Sequence, residues 1–291
     1  MDVCCFDKTG TLTQTDLIIK GVKGLAADEM VALPDVHALD KRALTVLAGC
    51  HTLAVADGVL VGDPIEKQAF EGLGYKHDGR KTSYHQGSQG PKIVQIKRFL
   101  FESALKRMST IVSTEEKSSG AECKVLTKGA PEVVKTFLRE VPAGYDKAYL
   151  QHVKNGARVL ALAYKALPKL SQEGYLAIKR DEAESDLTFC GFIVSECPLK
   201  PDTRRVIAEM IASRHMVKMI TGDNQLTAAY IGKELRFGPS DKTLFAQATS
   251  DREITWVDID QVVVKKTTKA SEVEALASSY MLCINGDALD A

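Results

Sequence analysis

The first apolar run of the chain, Val3-Cys4-Cys5-Phe6, is short and β-prone and ends on an acid, Asp7. That pattern predicts a buried strand with a carboxylate at its carboxyl end, where open parallel sheets expose a ligand crevice. Between Asp35 and Val55 the apolar residues Leu39, Ala43, Leu44, Leu47 and Ala48 recur at helical spacing, with Pro34 and Asp35 as start signals. Gly62-Asp63-Pro64-Ile65-Glu66 then turns into a second short helix ending near Gly72. Asp78 to Pro91 is rich in Gly, Ser, Lys and Gln without apolar period, which predicts a mobile loop. From Ile93 the pattern becomes strand-like, in Ile93–Ile96, Phe99–Phe101, Ser109–Ser113 and Lys124–Thr127, an antiparallel sheet with a polar hairpin at Thr114 to Glu122. Helices are predicted over Pro131–Leu138, Asp146–Asn155 and Ser171–Ser185, and a buried strand over Val159–Tyr164.

The pattern changes again near residue 190. Leu187–Val194 reads as a strand on which the first domain resumes. Pro201–Arg214 reads as a helix with Val206, Ile207, Met210 and Ile211 on one face, Met216–Ile220 as the next strand and Leu226–Leu235 as a further helix. Strand-helix alternation of this kind implies a parallel α/β sheet with right-handed crossovers, which brings the loop after Ile220 beside Asp7. The organisation expected is therefore a first domain split between 1–20 and 191–291, with 21–190 inserted as a separate α+β domain.

Composition narrows the function classes. With 291 residues the chain can bury a substantial core. Lys plus Arg and Asp plus Glu balance at 38 each, so no global field favours nucleic acid or a membrane surface. The cluster Lys265, Lys266 and Lys269 reads as a solvated loop. No stretch approaches the ~18 to 20 apolar residues that cross a bilayer, and the N-terminus lacks the charged, apolar and small-residue parts of a signal peptide. Seven cysteines without a CxxC pair favour reduced thiols, and His51 after Cys50 makes no zinc site by itself.

Candidate chemistry lies in two places. In Asp7-Lys8-Thr9-Gly10-Thr11-Leu12-Thr13, a carboxylate nucleophile is followed by a cation, then by hydroxyls, N–H groups and a permissive glycine suited to a phosphoryl group. Carboxylates can form aspartyl phosphates. Position 9 is Thr9, so the second acid that many phosphatases place there is missing, and an acyl phosphate would lose general acid-base help of roughly 10²- to 10⁴-fold. Thr221-Gly222-Asp223-Asn224, between a strand and a helix, can hold phosphoryl oxygens. In the middle of the chain, Phe101 and Lys106-Arg107 fit an aromatic face and cations for a nucleotide, or equally a strand residue and a solvated basic pair. Lys128-Gly129-Ala130-Pro131-Glu132 places a lysine at the end of a strand before a turn.

The heptad is the signature of the P-type ATPases, and DVCCFDKTGTLT with Gly21-Val22-Lys23-Gly24-Leu25 most resembles the A branch of the fifth class, which comprises endoplasmic-reticulum membrane ATPases. The resemblance covers most of the chain. It implies a haloacid-dehalogenase-like, Rossmann-like phosphorylation domain carrying an inserted nucleotide-binding domain built on an antiparallel sheet. It also implies ATP and Mg²⁺: Asp7 as phosphoryl acceptor, Lys8 beside it, Thr221 and Gly222 on the phosphoryl group, Asp223 by the phosphates and Mg²⁺, and Asp7 with the Thr9 carbonyl as metal ligands. By the same resemblance Phe101 stacks on adenine, Glu66 meets its amino edge, Lys128 and Gly129 border the pocket, Arg158 reaches the phosphates, and Lys106 and Lys200 lie nearby. It further implies that the parent acts at the endoplasmic-reticulum membrane with this part on the cytosolic face. There it would extract misplaced hydrophobic transmembrane segments through a membrane region and an actuator domain outside this chain.

Two departures stand out. Where many members carry Asp-Pro-Pro-Arg, this chain has Cys197-Pro198-Leu199-Lys200, which lacks a ribose-contacting acid and the arginine fork. The tail Asn285–Ala291 matches a strand that precedes the family's later Asp-rich signature, so the phosphorylation domain is expected to be truncated, binding ATP without completing catalysis. A soluble phosphatase of the same core, the first rival, predicts an acid at position 9 and no adenine pocket; Thr9, Phe101 and Lys128 oppose it. A non-catalytic nucleotide-binding module is the second.

Overall fold

Two aspartates start the helices that roof the larger sheet. Asp40 accepts from the Arg42 N–H at 2.8 Å and begins Lys41–Gly49, and Asp63 accepts from Ile65 and Glu66 N–H at 2.9 and 3.1 Å and begins Pro64–Gly72. Each side chain satisfies donors that a first helical turn leaves open, and Pro64 suits a position whose N–H has no partner. The computed structural model describes residues 2–15, 17–25, 30–32, 38–86, 90–116, 120–248 and 253–289. Pro34 and Asp35 lie outside the described residues, and the helix expected from them begins at Lys41.

The chain divides into two compact units, one of residues 1–16, 151–158 and 197–291, the other of 17–150 and 159–196. The second is built on an eight-stranded sheet in the order Ile18–Lys23, Thr188–Glu196, Arg158–Ala166, Gly120–Gly129, Arg107–Glu116, Lys92–Glu102, Thr82–His85, Tyr75–His77. Among the described residues its assigned pairings are antiparallel. The helix residues Ala43, Leu44, Val46, Leu47, Ala69 and Phe70 form one core with Ile93, Met108, Val112, Leu126 and Leu162. Gly49 lets the helix end pack closely on the sheet, where a Cβ would sit 2.6 Å from Leu126 Cδ1.

Three expectations change here. Leu187–Val194 does not resume the first domain: Thr188–Glu196 pairs with Ile18–Lys23, with Ile193 opposite Val22. The segment expected to be a mobile loop contains the strand Thr82–His85, which pairs on both sides, while residues 87–89 fall outside the described residues. Its polar side chains hide the burial, since Ser83 is fully buried. Ser171–Ser185 forms two short helices, Gln172–Ala177 and Arg180–Ala183.

In the first unit Val3–Asp7 pairs in parallel with Met216–Ile220, and Asp7 stands opposite Ile220. Helices Thr203–Ala212 and Gln225–Glu234 supply Ile207 and Ile231 to a core with Leu12 and Val217. Thr203, Ile207 and Met210 mark the inward stripe, whereas Val206 and Ile211 are exposed, which corrects the face expected for this helix. A second, four-stranded sheet runs Val263–Thr267, Ile254–Val257, Thr243–Ala248, Met281–Cys283, around the fully buried Trp256. Lys265 and Lys266 therefore lie on an exposed strand rather than a loop, and in the tail a short helix, Gly286–Leu289, follows the last strand. None of the seven cysteines forms a disulfide.

Candidate functional site

Asp7 ends its strand in extended conformation with its side chain exposed, and among the described residues no hydrogen bond or ion pair is drawn to its carboxylate. Lys8 turns the other way. It is buried, and its ammonium pairs with the carboxylate of Asp223. The cation expected beside Asp7 is thus committed to the partner loop, and it ties the first strand's turn to the second's. Gly10, at φ 79°, permits the tight reversal through Lys8–Leu12.

The turn is held from below. The Lys8 carbonyl accepts from the Thr13 N–H at 3.0 Å and its hydroxyl at 3.2 Å. The Leu12 carbonyl accepts from the Thr203 hydroxyl at 2.8 Å and the Lys200 N–H at 3.1 Å. Cys197 donates through Sγ to the Gln14 carbonyl at 2.8 Å. Cys197–Lys200, which departs from the family turn, therefore serves here as a backbone brace. Lys200 takes part through its main chain. Thr203 was not among the residues expected to matter, because a lone threonine at a helix start carries no signal of a partner 191 positions away.

Beyond Ile220, Thr221 Oγ1 accepts from the Asp223 N–H at 3.2 Å, and Asn224 caps the following helix through the Leu226 N–H at 2.9 Å. Gly222 is exposed, and a Cβ there would meet nothing within 4 Å, so its value is open backbone. Asp7 and the Thr9 carbonyl are hard oxygen donors suited to Mg²⁺, and no cluster of three or more metal-binding side chains occurs among the described residues. A donor set this sparse fits an ion that keeps waters and takes phosphate oxygens from its substrate.

The second unit holds the other group. Glu66, in the first turn of its helix, is buried, and its Oε1 lies 2.8 Å from Lys128 Nζ, itself nearly buried. Glu66 Oε2 accepts from the Thr52 N–H at 2.8 Å and hydroxyl at 3.1 Å. Lys128 is thus anchored to Glu66 rather than free to extend from the strand end. Gly129 is dictated by contact, since a Cβ would lie 2.7 Å from the Lys106 carbonyl oxygen. Phe101 is 55% exposed at the end of its strand, a large aromatic surface left to solvent. Lys106, at φ 50°, is exposed, 4.0 Å from Glu132 Oε1. Arg107, read with it as a phosphate-facing or solvated pair, instead faces inward and pairs with Glu184 at 2.6 Å. Arg158 is exposed at the start of its strand and belongs to the first unit.

Behind Thr52, His51 is fully buried: its Nδ1 accepts from the Leu53 N–H at 3.2 Å and its Nε2 lies 3.2 Å from Ser83 Oγ. Burial, with Lys128 and His77 adding positive charge, lowers its pKa from 6.5 to about 3. Above the ordinary value both folded and unfolded forms are neutral. As pH falls below it, only the unfolded chain takes the proton, so stability declines by about 1.4 kcal/mol per pH unit until the folded value is reached. Urea midpoints at pH 7 and pH 5 should show a drop of about 2 kcal/mol from this group. In His51→Gln that share disappears, and an unchanged difference between the two pH values would refute it.

Comparison with known proteins fits this geometry. A model of the P-type ATPase cytoplasmic domain N matches residues 59–202. A probable manganese-transporting ATPase of Arabidopsis thaliana is 38% identical over 290 residues, and an endoplasmic reticulum transmembrane helix translocase of Saccharomyces cerevisiae is 36% identical over 299; both alignments cover 100% of this chain. A translocase of the same description from Schizosaccharomyces pombe is 35% identical over 99% of the chain.

The chain belongs to the P-type ATPase family. It spans 24% of the length of the first two relatives. The match to domain N contains Glu66, Phe101, Lys128 and every strand of the eight-stranded sheet except Ile18–Lys23. Asp7 and Thr221–Asp223 lie outside that match but inside the alignments to whole P-type ATPases, which run across the chain.

Proposed function

We propose that this chain forms the nucleotide-binding and phosphorylation segment of a fifth-class, A-branch P-type ATPase, with MgATP as substrate and Asp7 as phosphoryl acceptor. The observation that carries the reading is the unengaged Asp7 carboxylate, on a strand paired in parallel with the one that leads into Thr221-Gly222-Asp223. An Asp7 oxygen attacks the γ-phosphorus of ATP, the bond to the β-γ bridging oxygen breaks, and ADP departs with that electron pair. Asp7 and the Thr9 carbonyl would hold Mg²⁺, which would supply charge neutralisation for the phosphoryl oxygens. Thr221 and the Gly222 N–H donate to the equatorial oxygens. Thr9, where hydrolases place an acid, leaves the acyl phosphate without a neighbouring base, so it persists for coupling.

The first unit is read as a haloacid-dehalogenase-like phosphorylation domain and the second as the nucleotide-binding domain inserted into it. Glu66, Phe101, Lys106, Lys128 and Gly129 take the nucleotide in this reading. The yeast relatives are named endoplasmic reticulum transmembrane helix translocases, which supports an activity on transmembrane helices at that membrane; in this reading actuator and membrane regions belong to the whole protein.

Calorimetric titration with ATP tests the nucleotide site. Base-aromatic stacking is worth about 1–3 kcal/mol, so Phe101→Ala should weaken ATP binding by about 5- to 150-fold without altering the fold. Equal affinity of folded Phe101→Ala and wild type would remove Phe101 from the site.

A further inference from the structure

We infer that Thr52 is a specificity-determining positioning residue: it fixes the Glu66 carboxylate so that the site takes a purine bearing a 6-amino group and rejects one bearing a 6-oxo group. The inference rests on the nucleotide reading above and extends it to a residue outside the family's motifs in this chain. An ionised carboxylate offers about four acceptor positions and no donor. In Glu66 three are occupied, Oε1 by Lys128 at 2.8 Å and Oε2 by the N–H and hydroxyl of Thr52 at 2.8 and 3.1 Å. What remains is acceptor capacity alone, on a carboxylate that cannot turn without breaking one of these bonds.

Thr52 can hold this position because its own backbone is fixed. Its predecessor, His51, is buried and bonded on both ring nitrogens, and the His51 carbonyl accepts from Gln95 Nε2 at 3.0 Å. Gln95 also reaches the Gly49 carbonyl at 2.9 Å, which ties the segment after the first helix to the sheet. The Thr52 N–H and O–H are therefore delivered to Glu66 by a rigid strip of chain, not by a loose loop. A site of fixed acceptors discriminates strongly against a ligand that presents another acceptor, because both would be left unpaired in a partly desolvated place. Adenine presents an amino donor at that edge, whereas hypoxanthine presents a carbonyl. Lys128, held by Glu66, cannot swing in to satisfy the carbonyl unless the pair opens.

The test is calorimetric binding of ATP and inosine triphosphate, with Mg²⁺, to wild type, Thr52→Val and Thr52→Ser, each checked for cooperative unfolding. Valine keeps the shape and the N–H and removes the hydroxyl, so Glu66 loses one of its three restraints. We expect the ATP-over-inosine-triphosphate preference to shrink about tenfold in Thr52→Val and to return in Thr52→Ser. A parallel loss of both nucleotides would show a merely structural role and overturn the inference, as would an unchanged ratio. A wild type that binds ATP without preferring it overturns the inference and leaves the nucleotide site standing; a folded wild type that binds neither nucleotide overturns both.

Discussion

Arg107→Leu should lower the unfolding free energy of the second unit by about 3–5 kcal/mol. Glu184 is fully buried, and Arg107 Nε reaches its Oε2 at 2.6 Å while Ser109 Oγ donates to Oε1 at 2.8 Å. Arg180 Nε stands farther off at 3.6 Å, and Thr127 Oγ1 backs Ser109 at 2.8 Å. Removal of Arg107 strands most of a carboxylate's charge in a low-dielectric interior, which costs far more than the pair contributes when intact. The arginine also stacks on Phe137, with Cζ 4.3 Å from the ring centroid, and leucine recovers only part of that packing. A double variant, Arg107→Leu with Glu184→Leu, should recover much of the loss, since no unpaired charge then remains. Urea unfolding at constant slope measures both, and a single-variant loss below about 1 kcal/mol would show that the charge finds water or Arg180 instead.

In the full-length polypeptide that bears this segment, Asp7→Asn should reduce phosphoenzyme to background, the largest effect expected of any change in the segment. An amide has no anionic oxygen to attack phosphorus, and Asp223, on the loop after the paired strand, is engaged by Lys8. Asp7→Glu should also fail by about 10²-fold or more, since one extra methylene moves the nucleophile by about 1 Å from its reacting position. Neither change touches the core: Asp7 is exposed at the end of its strand. ATP binding should survive both.

Much of the architecture was legible in the residues, and the misreadings share a physical cause. Pro64 after Asp63 marked a helix start, and the apolar alternation after Ile93 marked an antiparallel sheet; both stand in the structure. The parallel pairing that puts Ile220 opposite Asp7 also followed from strand-helix alternation. Thr82–His85 was missed because a polar strand can be buried through Ser83 and its contact to His51, which no periodicity reveals. Leu187–Val194 was assigned to the wrong sheet because an apolar strand does not name its neighbour, and only pairing with Ile18–Lys23 decides it. The two sites differ in the same way. Motifs singled out Asp7-Lys8, Thr221 and Lys128 as candidates, but the partners of the two lysines, Asp223 for Lys8 and Glu66 for Lys128, are set by long-range contact.

The most direct test of the account uses a full-length polypeptide bearing this segment, because the curated relatives are much longer than it. The protein is incubated with γ-labelled ATP and Mg²⁺, quenched in acid, and the labelled peptide is identified. The account predicts acid-stable, hydroxylamine-labile label on the peptide containing Asp7 and none in Asp7→Asn. Label that resists hydroxylamine, or that persists undiminished in Asp7→Asn, would contradict it.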